Sequence, residues 1–312
     1  MNDARPPEAS SAPARPDTPP AAPRRPFGAH GFDAPALGLG AGPLGAASLE
    51  EDAVDRVLGS ALERGVTLID TAPSYGRSEE RLGRHLEGRR EGVLLSTKLG
   101  YGVEGAPDWT GECIRRGVHQ ALRRLRTERL DLAFLHSCPP ETLAREDVLA
   151  ALRDAVEAGD VRVAGYSGDG PGLRAAKREP LFGAFQVSHN LVDQEALEEG
   201  LPAGAGVLAK RPLLNAVFAG LGDAPSPDRL ELRQRFERLP PALRAPALPG
   251  GVAELALRFA AFAPGVHTTL VGTTRPAHLE ANLDALARGP LPASLREAIR
   301  GAWAAHRWPG LV

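Results

Sequence analysis

Lysine is nearly missing from this chain. Of its 37 basic residues only Lys98, Lys177 and Lys210 are lysine, and the rest are arginine. Tyrosine is as scarce, at Tyr75, Tyr101 and Tyr166. Cysteine occurs twice, as Cys113 and Cys138. Two are too few, and wrongly spaced, for a disulfide framework or a zinc site, so a reducing cytoplasm is the expected setting. Charge of one sign is not in excess: 37 basic and 39 acidic residues leave a formal net charge of −2, spread without blocks. That argues against the footprint of a nucleic-acid or anionic-membrane binder. No apolar run is long enough to span a bilayer.

Residues 2 to 26 hold eight prolines and four arginines, with alanine as their only apolar residue. Such a segment cannot offset its conformational entropy and is expected to be a disordered leader, residues 1–26. It lacks the continuous apolar core of a secretory signal. The remainder, residues 27–312, is expected to fold as one domain.

From Phe27 onward strand-like and helix-like segments alternate. A hairpin candidate at 27–34 precedes predicted strands at 36–39, 66–69, 93–97, 130–135, 161–166, 184–188, 206–210 and 267–271. Between the first two, Val54, Val57, Leu58, Ala61 and Leu62 recur at helical spacing. Ser48 is the expected N-cap there, with acidic Glu50, Glu51 and Asp52 in the first turn. Similar helices are expected from Ser78, through Ile114 to Leu125, through Val148 to Val156, around Leu173 to Lys177, at 252–262 and from Pro276 to about Leu286. The stretch 212–250 reads as a long irregular insertion. Eight short strands, each followed by a helix or crossover, define a (β/α)8 TIM barrel. An open doubly wound sheet is the rival, but Gly38-Leu39-Gly40-Ala41-Gly42-Pro43 lacks the G-x-G-x-x-G spacing of its phosphate loop.

Groups able to move protons gather at the strand ends. Asp70 closes Leu68-Ile69-Asp70, Pro73 stops the strand, and Tyr75 lies in the loop that follows. Lys98 and His136 end the third and fourth strands. In a barrel all four sit at the carboxyl rim, where active sites lie. A chain that writes arginine wherever charge alone suffices has a reason to write lysine, namely a compact, titratable amine. The bland alternative is a solvated strand cap, and a carboxylate on the preceding strand weighs against it. A free phenol has a pKa of roughly 10, and a neighbouring ammonium lowers it. Asp70 would keep Lys98 charged, and neutral His136 would aim a carbonyl oxygen at Tyr75. With no strong nucleophile and no metal cage, another species must supply electrons; a bound hydride donor is the simplest.

The chain resembles the aldo-keto reductases from about Phe27 to Leu286. The resemblance rests on Gly38-Leu39-Gly40, Asp70-Thr71-Ala72-Pro73-Ser74-Tyr75-Gly76, Ser96-Thr97-Lys98, Leu135-His136 and Gly165-Tyr166-Ser167. It continues through Gln186-Val187, Ala209-Lys210-Arg211-Pro212-Leu213 and Gly272-Thr273-Thr274-Arg275-Pro276 with Asn282. It implies a catalytic tetrad of Asp70, Tyr75, Lys98 and His136, with the tyrosine as general acid and NADPH, or NADH, reducing an aldehyde or ketone. It also implies cofactor contacts from Ser167, Gln186, Lys210, Pro212, Leu213, Gly272, Thr273, Thr274, Arg275, His278 and Asn282. Three features depart from the pattern. Gly168 stands where asparagine is common, Lys210 where an aromatic often stacks on the nicotinamide, and Gly272, His278 and Ala281 where relatives carry basic, basic and acidic residues. Those departures keep a cofactor-sensing or regulatory barrel as the second reading; a metal-dependent hydrolase using Asp70 and His136 is a third.

Other candidates have simpler explanations. His189 is expected to be a hydrogen-bonded structural histidine, and Cys138 a buried thiol with no second base. Trp109 and Phe218 could wall a pocket; Trp303 and Trp308 could cover the barrel mouth or pack on a helix. The arginines at 115, 116, 123, 124 and 126 read as solvated surface.

Overall fold

Every second residue of each barrel strand carries the inside of this molecule. The computed structural model describes residues 21–222, 224–306 and 308. It opens with an antiparallel hairpin, β1 (Arg24–Pro26) and β2 (Asp33–Pro35). Eight strands follow: β3 (Leu37–Gly40), β4 (Leu68–Asp70), β5 (Leu94–Leu99), β6 (Leu130–His136), β7 (Val161–Ser167), β8 (Ala184–Ser188), β9 (Gly206–Lys210) and β10 (Thr268–Gly272). Each pairs in parallel with the next, and β10 pairs back onto β3, which closes the expected barrel.

Strand alternation sends every second residue inward. Leu68, Leu94, Leu132, Phe134, Val163, Ala184, Leu208 and Leu270 make the buried barrel interior. Continuing the same parity toward the carboxyl ends brings Asp70, Ser96, Lys98, His136, Ser167, Gln186 and Lys210 to the inward face. The register levels them: Asp70 stands opposite Ser96, His136 opposite Ser167, Ser167 opposite Gln186 and Ser188 opposite Lys210. Odd-numbered neighbours such as Ile69, Leu95, Leu135 and Val187 face the helices and share their core.

The amino end of the barrel is plugged. Phe27 is fully buried, stacks on Phe32 at 5.3 Å, and lies where a Cβ on Gly206 would come within 2.1 Å of its ring. The fold therefore begins before Phe27. Residues 1–20 of the expected leader lie outside the described residues, but Ala22 is buried and donates to the Arg64 carbonyl at 2.9 Å. Arg24 to Pro26 pair with Asp33 to Pro35, so the hairpin straddles the expected 27–34 segment. Proline is compatible with such a two-stranded edge ribbon.

Around the barrel run α1 (Glu51–Glu63), α2 (Ser78–His85), α3 (Gly111–Leu125), α4 (Pro140–Leu143), α5 (Glu146–Glu157) and α6 (Gly170–Ala176). Then come α7 (Glu195–Glu198), α8 (Pro227–Glu237), α9 (Pro241–Arg244), α10 (Gly251–Ala261), α11 (Pro276–Ala287) and α12 (Ala293–His306). The expected stripe Val54, Val57, Leu58 and Ala61 is buried in α1, but its cap is Glu50 rather than Ser48. Thr110 caps α3 by accepting from the Cys113 amide at 3.1 Å. Of the α3 arginines, Arg124 is half-buried and pairs with buried Glu79 at 3.2 Å, while the others are exposed.

The segment read as irregular is not. It contains a 3-10 helix at Leu214–Ala219 followed by α8 and α9. Leu214, Val217, Leu232, Phe236, Leu239 and Leu243 from it form a second buried cluster with Ile299 and Trp303 of α12. This layer hid in the sequence because α8, PDRLELRQRFE, is mostly charged, and its two buried apolar residues, Leu232 and Phe236, are one turn apart.

Candidate active site at the open end of the barrel

The loop after β4 is locked against the loop after β3. A Cβ on Gly45 would lie 1.6 Å from the Tyr75 carbonyl oxygen. Gly76, at φ +54°, returns the contact, and the Arg77 amide donates to the Gly45 carbonyl at 3.1 Å. Arg81, 1% exposed, fixes the partner loop by donating to the carbonyls of Leu44, Ala46 and Leu49 at 2.6, 2.8 and 2.5 Å. Tyr75 is thus placed by backbone contact, which only glycine at position 45 permits. Gly45→Ala should shift Tyr75 and lower kcat by roughly tenfold or more, since a displacement of about 1 Å is enough for such losses. Comparing kcat with the melting temperature of the variant checks this.

Beneath Tyr75 lies a buried ion pair. Lys98 Nζ donates to both Asp70 oxygens, at 2.8 and 2.7 Å, and to the Thr71 carbonyl at 2.9 Å. Lys98 is 1% exposed and Asp70 4%. Burial by itself would lower the Lys98 pKa, but Asp70 first and Tyr75 next outweigh it and the net shift is upward. The amine is therefore an ammonium, 5.5 Å from the centre of the Tyr75 ring. Asp70 Oδ1 also accepts from Ser96 Oγ at 2.7 Å and from Gln186 Nε2 at 2.9 Å, and Ser167 Oγ donates to Gln186 Oε1 at 2.8 Å. Three expected residues are thus joined into one network on β4, β7 and β8.

His136 meets Tyr75 edge-on, with ring centroids 6.4 Å apart. Burial, then the charges of Lys98, Lys210 and Arg211, push its pKa down to about 3, so the ring is neutral near pH 7. Its Nδ1 is hydrogen-bonded to the Tyr101 hydroxyl, and the two rings stack with centroids 5.4 Å apart. Sequence reasoning missed Tyr101. Scarcity was its only mark, because the loop after β5 must fold back before it reaches β6.

A second buried pair was also missed. Asp169 accepts from the Ser188 amide at 2.8 Å and Ser188 Oγ at 2.9 Å, and meets Lys210 Nζ at 2.9 Å. Burial lowers the Lys210 pKa, and Asp169 opposes that shift. Gly168 has a steric reason. A Cβ there would lie 2.7 Å from the Tyr166 hydroxyl, which donates to the Cys138 carbonyl at 2.9 Å. Tyr166 fills the space that a side chain at 168 would need.

These groups face a cleft of about 800 Å³. Asp70, Tyr75 and His136 line it, as do Ser167, Gln186, Lys210, Pro212, Leu213 and Gly272. Lys98 lies below its floor. Thr273, Thr274, Arg275, His278 and Asn282 are not on its wall but continue from Gly272 into α11. There Thr273 Oγ1 accepts from the Arg275 amide at 3.1 Å and bonds His278 Nδ1 at 3.2 Å. The cleft suits an extended anionic cofactor. Arg211 Nη1 and Arg229 Nε, on two residues of its wall, are buried without a partner among the described residues. The wall is tight at Gly272, where a Cβ would lie 3.1 Å from the Pro43 side chain and 3.3 Å from the Gly40 carbonyl oxygen.

Six other candidates lie off this wall: His189, Cys138, Trp109, Phe218, Trp303 and Trp308. His189 is buried and stacks on Phe259 at 5.1 Å, but neither ring nitrogen has a hydrogen-bond partner among the described residues, unlike the hydrogen-bonded role expected for it. Burial pushes the Cys138 thiol up to about 12, which leaves it un-ionised. Trp303 and Trp308 pack into the second cluster. His136 and His189 together set a pH dependence. Both have pKa values near 3 in the fold against 6.5 otherwise. Below about pH 6.5 the unfolded chain binds more protons, so stability is full above that pH and is lost as pH falls toward 3. Urea midpoints should be lower at about pH 5 than at about pH 7, and His189→Phe should narrow the difference.

A closed eight-stranded parallel barrel with Asp70, Lys98 and His136 at the carboxyl ends of its strands has the (β/α)8 architecture, in which active sites lie at that rim. The family follows from comparison: the Aldo/keto reductase family model matches residues 36–304, and the chain belongs to that family of oxidoreductases. It is 28% identical over 289 residues to the aldo-keto reductase YhdN of Bacillus subtilis, covering 80% of this chain and 85% of that one. It is 30% identical over 305 residues to the D-threo-aldose 1-dehydrogenase of a Pseudomonas species, covering 82% and 90%. Its fold matches the holo form of aldo-keto reductase AKR11C1 from Bacillus halodurans with a TM-score of 0.73 at 24% identity, over 90% of this chain and 96% of that one. No helix among the described residues is long and apolar enough to cross a membrane.

Proposed function

We propose that this protein reduces a small aldehyde or ketone to the alcohol, with Tyr75 as proton donor and NADPH, or alternatively NADH, as reductant. The observation that carries the reading is the bidentate Asp70–Lys98 pair buried beneath Tyr75, with neutral His136 at the same cleft. When bound, a nicotinamide cofactor supplies the hydride. The chain's own residues do the rest. His136 donates a hydrogen bond to the substrate oxygen and aims it at Tyr75. As negative charge grows on that oxygen, the Tyr75 hydroxyl gives up its proton. The Lys98 ammonium stabilises the phenolate left behind. Asp70 keeps Lys98 charged and in place.

Ser167 and Gln186 would hold the nicotinamide carboxamide, with Lys210, Pro212 and Leu213 beside it. The free donors of Arg211 and Arg229 would meet phosphate. Gly272, Thr273, Thr274, Arg275, His278 and Asn282 would hold the far end. Both described cysteines are free, which supports a cytoplasmic enzyme.

The test is fluorescence titration with NADPH and NADH, followed by cofactor consumption over aldehydes, ketones and sugars. Sugars belong in that set because of the Pseudomonas relative's name. Saturable binding with turnover of at least one carbonyl is the expected result. Tight binding without turnover would instead favour the cofactor-sensing reading, to which Gly168 and the Asp169-bound Lys210 lend support.

A further inference from the structure

Tyr101 stands outside the cleft, yet it grips the ring of a residue inside it. A neutral imidazole carries its proton on one nitrogen only, and the partner of the other nitrogen decides which. For His136 that partner is the Tyr101 hydroxyl, at Nδ1. Tyr101 keeps its own proton: burial first of all raises its pKa, against a lowering contribution from Ser74. The phenol oxygen is also bonded to Ser74 Oγ, at 2.9 Å. Ser74 precedes Tyr75 in the chain, so a line of hydroxyls joins the loop of the proposed acid to the proposed carbonyl donor.

The surrounding loop is shaped to hold Tyr101 there. Gly100 adopts φ +124°, and a Cβ on it would lie 2.0 Å from the Trp109 ring. Trp109 itself takes φ +59°, donates its amide to the Gly100 carbonyl at 2.6 Å, and packs edge-on against Tyr101 at 5.8 Å. A non-glycine residue at positive φ costs of order 1 kcal/mol or more, and such strain persists only where the surroundings enforce it. Here it turns the loop back so that the Tyr101 ring lies beside His136, 30° from parallel, with its hydroxyl at Nδ1.

We propose that Tyr101 is a positioning residue: its hydroxyl donates to Nδ1 of His136 and holds the imidazole as the Nε2–H tautomer, the form able to donate to a substrate oxygen. The catalytic significance rests on the proposed function; the tautomer does not. Ser74 donates in turn to the phenol oxygen, which leaves the phenol proton for His136.

The test is long-range 1H–15N correlation spectroscopy of uniformly 15N-labelled protein, with the His136 signals identified by their loss in His136→Gln. Wild type should show the Nε2–H pattern at His136. Tyr101→Phe keeps the ring stack but removes the donor. It should give a mixed tautomer pattern, with kcat down by about fivefold to tenfold, the worth of one hydrogen bond, and a nearly unchanged KM for cofactor. Ser74→Ala should move both readouts the same way by less. A merely structural role would alter the melting temperature and leave the tautomer as it was. An Nδ1–H pattern in wild type, or an unchanged pattern in folded Tyr101→Phe, would overturn the proposal. If Tyr101→Phe does not fold, the wild-type and Ser74→Ala spectra decide. A wild type with the Nε2–H pattern but no turnover would contradict the reductase reading and leave the tautomer assignment standing.

Discussion

Tyr75→Phe should lose carbonyl reduction by about a thousandfold while binding NADPH as wild type does, within the 10²–10⁴ range of general acid catalysis. The contact with the loop after β3 survives, because at Gly45 it is made by the main chain of Tyr75 and at Gly42 by its ring carbons. The edge contact with His136 also survives, because it needs the ring and not the hydroxyl. Only the transferable proton is gone. The loss should therefore fall on kcat, and a titration of cofactor fluorescence beside steady-state rates separates the two.

Lys98→Met should be the most damaging single change to stability. It removes the Lys98 ammonium from Asp70, a carboxylate 4% exposed that also accepts from Ser96 and Gln186. Breaking a buried pair by removing one partner typically costs about 3–5 kcal/mol, because a charge is left buried alone. The double variant Asp70→Asn with Lys98→Met removes both charges and should recover much of that loss in urea denaturation, while remaining inactive. Recovery of stability without activity would separate the structural cost of the pair from its chemical purpose. Equal instability of the single and double variants would mean that Asp70 is satisfied by its neutral donors.

The legible part of this fold was the part set by strand alternation. Short apolar strands at regular intervals gave the barrel, and Asp70, Lys98 and His136 fell on the inward face because parity runs unbroken from Leu68 to Asp70, from Leu94 to Lys98 and from Leu132 to His136. That is why Asp70, Lys98 and His136 could be placed without coordinates. Elements without such a repeat were not legible. The layer from Leu214 to Arg244 is helical despite its charge, and α12 closes over it. Side-chain partnerships across loops were equally hidden. Tyr101 on His136 depends on the backbone turn at Gly100, and Asp169 on Lys210 depends on the register of β7, β8 and β9. Lysine scarcity marked Lys98 and Lys210, and each has a buried carboxylate partner, but sequence gave a partner only for the first.

The most direct test is a single turnover with NADPH already bound, mixing wild type and Tyr75→Phe separately with an aldehyde found by the panel. Cofactor oxidation is expected in wild type and none on the same timescale in the variant, with equal amounts of cofactor bound at the start. Oxidation at the wild-type rate in Tyr75→Phe would contradict this expectation, because the proton would then come from somewhere other than the tyrosine that this barrel rim holds over Lys98.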